Sequence, residues 1–357
     1  MEAPQVREPE AYSGQDGWTR GNGPEADVVL STRVRLARNV ADFHFPARLD
    51  DETRTRLQAR MITAIDDAKL ADDVRHEDLT QSNALHRQLL WERNLISREA
   101  MQSKGVRGVS WSPAKQFSIM TNEEDHLRIQ ALRAGLATAE ALACALEVDT
   151  RLDARLEYSW SPQLGYLTAC PTNVGTGLRI SVMLHVPALV QTRQLDKVNK
   201  ATAEVGLTVR GYHGEGSKAL GDVIQISNQR TLGSSEAELL ETVQTMLVKV
   251  VEYERLMREK LLAESKTSVE DHIWRSVGTL RHARKLAMEE TLGLLSAVRL
   301  GINLKLLPTM GLDAMNELVV LSQPAHQQSL HGKAMDADDR DIARAAWLRD
   351  RFKPESN

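Results

Sequence analysis

Only two cysteines, Cys144 and Cys170, occur among the 357 residues. That excludes a disulfide framework and a cysteine-rich zinc site, and makes a reducing compartment the simplest expectation. Aromatic residues are scarce at 4%, which argues against an aromatic groove that stacks single-stranded bases. Neither sign of charge dominates: 45 Lys and Arg stand against 49 Asp and Glu, a net charge of −4, so no basic footprint for nucleic acid is present. No apolar run approaches the ~18 residues of a membrane-spanning helix. Met1 to Asp16 is polar and lacks the apolar segment of a signal peptide, so a cytoplasmic protein with no membrane partner is expected. Common catalytic signatures are absent as well. There is no GxxxxGK[ST], no HRD or DFG of protein kinases, no HExxH, no CxxC and no GxSxG.

What is present has the size of roughly two domains and the composition of a globular chain, with 42% hydrophobic and 26% charged residues. Residues 1–26, with three Pro, four Gly and five acids, read as a flexible tail. Asp27 to Val40 alternates Arg33 and Arg35 with Val34 and Leu36, a strand with one basic face. A helical period covers Asp50 to Leu70. Lys115 to Met120 reads as a strand, and Glu124 to Val148 as a helix broken near Gly135. Short strand-like runs follow at Leu156–Trp160, Gly165–Ala169, Leu178–His185, Leu207–Gly211 and Val223–Ser227, without the regular intervening helices of a parallel sheet. The expected class is α+β: a largely antiparallel sheet flanked by helices over residues 27–258, then an all-helical part over 259–357. A long amphipathic helix from Glu236 carries Leu239, Val243, Met246, Leu247, Val250, Tyr253 and Leu256.

Several residues carry possible chemistry. Arg33, Arg35, Arg128, Arg179 and Arg210 sit in strand-like or loop contexts beside glycines, hydroxyls or acids. Guanidinium forks suit phosphate oxygens, and several converging could hold a triphosphate without a Walker lysine. Taken singly, each is equally well a surface or ion-paired arginine. Asn122-Glu123-Glu124-Asp125-His126 crowds three acids. Their repulsion would be offset by a metal, a guanidinium or a magnesium nucleotide, or the run is a solvated helix N-terminus. Gly211 to Ser217 is a glycine-flanked loop presenting Glu215, either a closing lid or a plain hairpin turn. Cys170 precedes Pro171 and the turn Gly175–Gly177, and is either an activated thiol or a small buried residue. Cys144, in an apolar helix, reads as core.

Four segments together resemble the phosphagen (guanidino) kinase superfamily: GNGPEADVVLSTRVRLARN (21–39), NEEDHLRIQ (122–130), CPTNVGTGLRISVM (170–183) and RGYHGEGS (210–217). Within it the chain is similar to bacterial protein arginine kinases of the McsB type. STRVR begins at residue 31, leaving no room for the helical N-terminal domain of creatine and arginine kinases, and Arg340-Asp341-Ile342-Ala343-Arg344-Ala345 matches the RDxxRA phosphoarginine motif. The resemblance implies a catalytic domain of the glutamine synthetase-like type and an ATP site from Ser31, Thr32, Arg33, Val34 and Arg35, Arg128, Arg179, Ile180, Ser181, Val182 and Met183, and Arg210, Gly211, Tyr212, His213, Gly214 and Glu215. It implies Glu124 as general base, Glu215 as second acceptor carboxylate, Cys170 as the reactive cysteine, and Arg340, Asp341, Arg344 and Ala345 as a phosphoarginine pocket. ATP and Mg²⁺ are the implied cofactors. The implied partners are proteins with exposed arginines, a CtsR-type repressor, an McsA-type activator and a Clp unfoldase, with the chain itself a homodimer. The family's ERHLIS histidine, a nucleotide contact, is replaced here by Asn94, which the resemblance places in the ATP site; asparagine can still donate and accept hydrogen bonds, so a change of affinity rather than loss of activity is expected. The competing readings are a kinase for free arginine and a non-catalytic phosphoarginine adaptor.

Overall fold

A computed structural model describes residues 17–102, 104–114, 116–211, 220–307 and 310–353. Among the described residues ten strands occur in chain order: β1 (Val29–Arg38), β2 (Arg75–Asp78), β3 (Gly108–Ser112), β4 (Phe117–Thr121), β5 (Leu127–Ala134), β6 (Trp160–Ser161), β7 (Gly165–Tyr166), β8 (Leu178–His185), β9 (Leu207–Gly211) and β10 (Val223–Asn228). Strands β6 and β7 form a small hairpin, and the other eight form one sheet in the order β2-β3-β4-β5-β1-β8-β10-β9. Every pairing in it is antiparallel, as the pattern of short strands suggests.

The helices are α1 (Asp51–Asp67), α2 (Ala84–Glu92), α3 (Arg98–Gln102), α4 (Thr138–Leu156), α5 (Pro187–Gln191), α6 (Leu195–Glu204), α7 (Glu236–His282), α8 (Met288–Asn303), α9 (Leu312–Leu321), α10 (Pro324–Leu330) and α11 (Ala337–Arg351). Their starts follow local chemistry. Asp50 and Asp336 each accept a hydrogen bond from a backbone N–H of the first turn, and Ser235 and Glu238 form a full capping box on α7.

Strand β8 shows how the sheet divides its two faces. Leu178, Ile180, Val182 and Leu184 are fully buried against α1, α4 and the first half of α7. The alternate residues Arg179, Ser181, Met183 and His185 lie on the other face, because side chains in a strand alternate with period two. A second apolar core, from Val269 through Leu295 and Met315 to Phe352, belongs to the helices that follow. The two cores meet along α7, which is kinked at Ser265.

Two local expectations are corrected. The run after Glu124 is not helix at first: Leu127 to Ala134 is strand β5, pinned between β4 and β1, and Gly135 at φ +64° turns the chain into α4. Gly23 packs against that turn so closely that a Cβ on it would lie 2.1 Å from the Ala134 carbonyl oxygen. Residues 17–26, read as part of a tail, are an ordered strap. Asn316 Nδ2 donates to the Thr19 carbonyl (3.1 Å), Arg299 Nη2 donates to that of Ala26 (2.7 Å), and Asp27 pairs with Arg258 (3.3 Å).

Candidate active site

A cleft of about 330 Å³ opens on the face of the sheet opposite the main core. Its floor includes Arg33 and Arg35 of β1, Met183 of β8, Arg210 of β9 and Gln225 of β10. The register aligns them: Arg35 faces Arg179, Arg33 faces Ser181, Ser31 faces Met183, and Arg210 faces Gln225. Arg35 Nη2 donates to Ser181 Oγ (3.3 Å) and Arg179 Nη2 to Ser227 Oγ (3.2 Å). Hydroxyls thus help to hold these two forks.

The electrostatics are lopsided. Burial, with Arg179 and Arg128 nearby, pushes the Arg33 pKa down to about 10. Arg35 is lowered well below its usual value by burial and by Arg33, Arg128 and Arg179, with Glu123 only partly opposing. Among the described residues Arg33 pairs with no carboxylate. Like charges gathered out of water are costly unless an anion joins them, so this wall is built for a polyanion.

The acidic run sits at the edge of the cluster. Residues 122–126 are the β4–β5 hairpin loop, not a helix N-terminus, with Asn122 at φ +56°. Arg128 Nη1 pairs with Glu123 (3.1 Å) and Nη2 with Glu124 (2.9 Å). Burial works against the Arg128 charge, but Glu123, Glu124, Asp125 and Glu99 outweigh it and raise its pKa. Glu123 is almost wholly buried and also accepts from Ser97 Oγ, whereas the Glu124 side chain is 45% exposed and open to a ligand. Asp125 Oδ1 accepts from Asn39 Nδ2 and from the Ala169 N–H, both at 2.7 Å. That tie brings the loop of Cys170 to the acidic hairpin. Cys170 is half-buried, with Sγ 3.0 Å from Thr172 Oγ1. Buried His126 is neutral: burial pushes its pKa down to about 4, and it accepts from the Val40 N–H while donating to the His44 carbonyl.

Other sequence candidates fall differently. Val34, Ile180 and Val182 point into the main core, so only their backbone borders the site. Thr32 is buried, its hydroxyl donating to Gly135 O (2.7 Å). Asn94 lines the cleft at φ +60°, a conformation asparagine adopts more readily than most residues. Gly211 ends β9; Tyr212, His213, Gly214 and Glu215 lie outside the described residues. In the RDIARA run, Ala345 is core. Arg344 is buried, donating to the Ser322 and Leu286 carbonyls and to Asp341, each at 2.7 Å, and it braces the helical part from within. Arg340 and Asp341 are only half-buried.

Trp18 and Arg299 also border this region and were not singled out by sequence, while Glu123 was read there only as one of the three crowded acids. Arg299 had a signal, a lone cation in the apolar run LLSAVRLGIN; Trp18 had none beyond its type.

Comparison with known proteins agrees with this geometry. Residues 56–257 match the ATP:guanido phosphotransferase C-terminal catalytic domain, and residues 266–357 match the protein-arginine kinase McsB C-terminal domain. The chain is 42% identical over 342 residues to the protein-arginine kinase of Bacillus licheniformis, covering 95% of this chain and 94% of the relative. It is 40% identical over 342 residues to that of Bacillus subtilis, with the same coverage, and 42% identical over 338 residues to that of Symbiobacterium thermophilum, covering 94% and 96%. Among solved structures, lombricine kinase superposes with a TM-score of 0.58 at 26% identity, covering 68% of this chain and 70% of that one. The duplicated taurocyamine kinase of Schistosoma mansoni with transition-state analogue components also gives 0.58, at 25% identity, covering 72% and 38%.

Proposed function

The chain belongs to the protein-arginine kinase branch of the ATP:guanido phosphotransferase family, and from that premise we propose that it transfers the γ-phosphoryl group of ATP to arginine side chains of proteins. The observation that carries the reading is the cluster of half-buried arginines on one sheet face, whose mutual charge lowers the pKa values of Arg33 and Arg35, bordered by the exposed acid Glu124.

The chemistry needs both halves. A guanidinium is a poor nucleophile, because its lone pairs are delocalised and it stays protonated below a pKa of about 12. Glu124 orients the acceptor fork so that one nitrogen faces the γ-phosphorus. As the N–P bond forms and the bond to the β-phosphate oxygen breaks, the nitrogen's proton passes to the Glu124 carboxylate and ADP departs. By the resemblance, Glu215, four positions after Gly211 in the sequence, is the second acceptor carboxylate and Cys170 the reactive cysteine. Arg33, Arg35, Arg128, Arg179 and Arg210 neutralise the phosphates where charge builds up. Mg²⁺ is implied by the resemblance; such an ion keeps several waters and is usually held through substrate phosphates, and bound with ATP it would supply charge neutralisation. Phosphorylation turns an arginine from +1 to about −1 or lower, which would abolish its contact with DNA phosphates.

The finer assignments rest on the resemblance: a CtsR-type repressor and a Clp unfoldase downstream, an McsA-type activator, a homodimer, a cytoplasmic site of action, and phosphoarginine binding around Arg340 and Asp341. No helix among the described residues is long and apolar enough to cross a membrane. Phosphorus NMR at neutral and acidic pH, after incubation with ATP and either free arginine or an unfolded protein, tests the activity. An acid-labile phosphoramidate on the protein is expected; a signal on free arginine alone would make the chain a small-molecule kinase.

A further inference from the structure

The hairpin that carries Glu124 sits at one end of the sheet, where Arg38 closing β1 pairs with Leu127 opening β5, and Leu36 pairs with Leu178 opening β8. The loops at those strand ends are bonded to the two residues that follow Glu124. Asp125 accepts from Asn39 Nδ2 and from the Ala169 N–H. Asn39 reaches further: its Nδ2 also donates to the Leu167 carbonyl (3.0 Å), and its own carbonyl accepts from the Ser159 N–H (2.7 Å). His126 accepts from the Val40 N–H (3.0 Å) and donates to the His44 carbonyl (2.9 Å).

The bonded segments leave large apolar side chains in water. Trp160, one position after Ser159, is 57% exposed; Leu164, in the turn between β6 and β7, is 45% exposed; Phe45, one position after His44, is 37% exposed. Their supports are firm. Trp160 is the cross-strand partner of Tyr166, whose ring lies 3.5 Å from the Arg38 guanidinium, itself paired with Asp149. Phe43 packs edge-on against the His126 ring, with centroids 6.3 Å apart, while Phe45 stays exposed. Single exposed apolar residues are ordinary, but three on segments bonded to one acidic hairpin make a surface of mixed chemistry, apolar beside anionic. The exposed carboxylate of Glu124 repels nucleic acid and anionic lipid and attracts a guanidinium. Free arginine has nothing to bury against Trp160. A polypeptide that carries an arginine and, nearby, an apolar side chain complements both features. In a folded protein that apolar side chain is usually inside, so the matching stretch is an unfolded one.

We propose that Trp160, Leu164 and Phe45 form a docking surface for unfolded polypeptide, seating an apolar side chain of the substrate a few residues from the arginine presented to Glu124. Two hydrogen-bonded links separate Trp160 from the hairpin, on the order of 10–15 Å, or about three to five residues of extended chain. The inference rests on the protein-arginine kinase reading above and adds to it how the substrate is chosen: by exposed apolar residues near the target arginine, at a place separate from the chemistry.

The test uses the full chain, magnesium ATP and two unstructured peptides with one arginine each. One has only Gly, Ser and Asn around it; the other has leucine roughly four residues to either side. Phosphopeptide formation is followed at neutral pH by mass spectrometry. Wild type should favour the leucine peptide about tenfold in kcat/KM, mainly through KM, the scale of partly burying one large apolar side chain. The double variant Trp160→Ser, Leu164→Ser should lose that preference while keeping the polar peptide within about twofold, as for a surface change that leaves the fold intact. Trp160→Phe should restore most of it. A wild type indifferent to leucine, a double variant that retains the preference, or an equal loss on both peptides would overturn the proposal. So would a double variant that changes oligomeric state and keeps the preference, since the surface would then belong to a second copy of the chain. If wild type phosphorylated neither peptide nor an unfolded protein, the kinase reading itself would fail, and the docking surface with it.

Discussion

The arginine wall implies a trade between stability and ligand binding that a single substitution exposes. Arg33→Met keeps most of the side chain's length and removes its charge. With the Arg33 pKa pushed down to about 10 from a usual value above 12, the folded protein without ligand works against that charge at pH 7. At ~1.4 kcal/mol per pKa unit the cost is about 3 kcal/mol at most. Arg33 is only half-buried, so cleft water screens part of it, and about 1–2 kcal/mol is the reasonable expectation. The ligand-free variant should therefore melt a few degrees above wild type, at ~2–4 °C per kcal/mol. ATP should act in the opposite sense. A lost charged phosphate contact costs about 1.5–3 kcal/mol of affinity. At ~100 times the wild-type Kd, ATP stabilises wild type by about 2.7 kcal/mol and the variant by about 0.3–1.3 kcal/mol, so the gap closes or reverses. Calorimetric melts of both proteins, with and without magnesium ATP, read this directly. A ligand-free variant less stable than wild type, or equal stabilisation of both by ATP, would refute the reasoning.

Three further outcomes are expected. Glu124→Gln should keep ATP affinity within a few-fold and lower phosphoryl transfer by about 10²–10⁴, the usual scale for loss of a general base; near-normal turnover would remove Glu124 from that role. His126, neutral in the fold with a pKa of about 4 against about 6.5 unfolded, takes up its proton first in the unfolded chain as pH falls. Its contribution is therefore intact above pH ~6.5 and lost down to pH ~4, by up to about 3 kcal/mol, and urea melts across that range should show a slope that His126→Gln flattens. Asp149→Ala strands the buried guanidinium of Arg38, which pairs with it at 2.7 Å and lies 3.5 Å over the Tyr166 ring. It should cost about 3–5 kcal/mol in denaturant melts, and a loss below ~1 kcal/mol would mean that the pair is offset by water.

Much of the catalytic half is legible because its signals are local. The alternation through Leu178–His185 and 29–38 is a property of neighbouring residues, and the order of strands and loops places the arginine segments on one sheet face. Where the reading misses, the cause is distant. Strand β5, LRIQALRA, is made of good helix formers, and its state is decided by pairing with β4 and β1 rather than by propensity. The strap around Trp18 has the composition of a tail, and its order comes from hydrogen bonds donated by Arg299 and Asn316 nearly 300 positions away. Arg344 sits in a legible motif, yet its burial among the Ser322 and Leu286 carbonyls depends on how α11 packs, which no local spacing encodes.

The central claim is that the arginine wall and Glu124 act as one site on protein-borne arginine. Neutral-pH mass spectrometry of an unfolded, arginine-containing protein, incubated with magnesium ATP and either wild type or Glu124→Gln, tests it most directly. Phosphoryl-sized mass gains confined to arginine, present with wild type and absent with the variant, are expected; gains on serine or threonine, or none on any residue while ATP is bound, would contradict it.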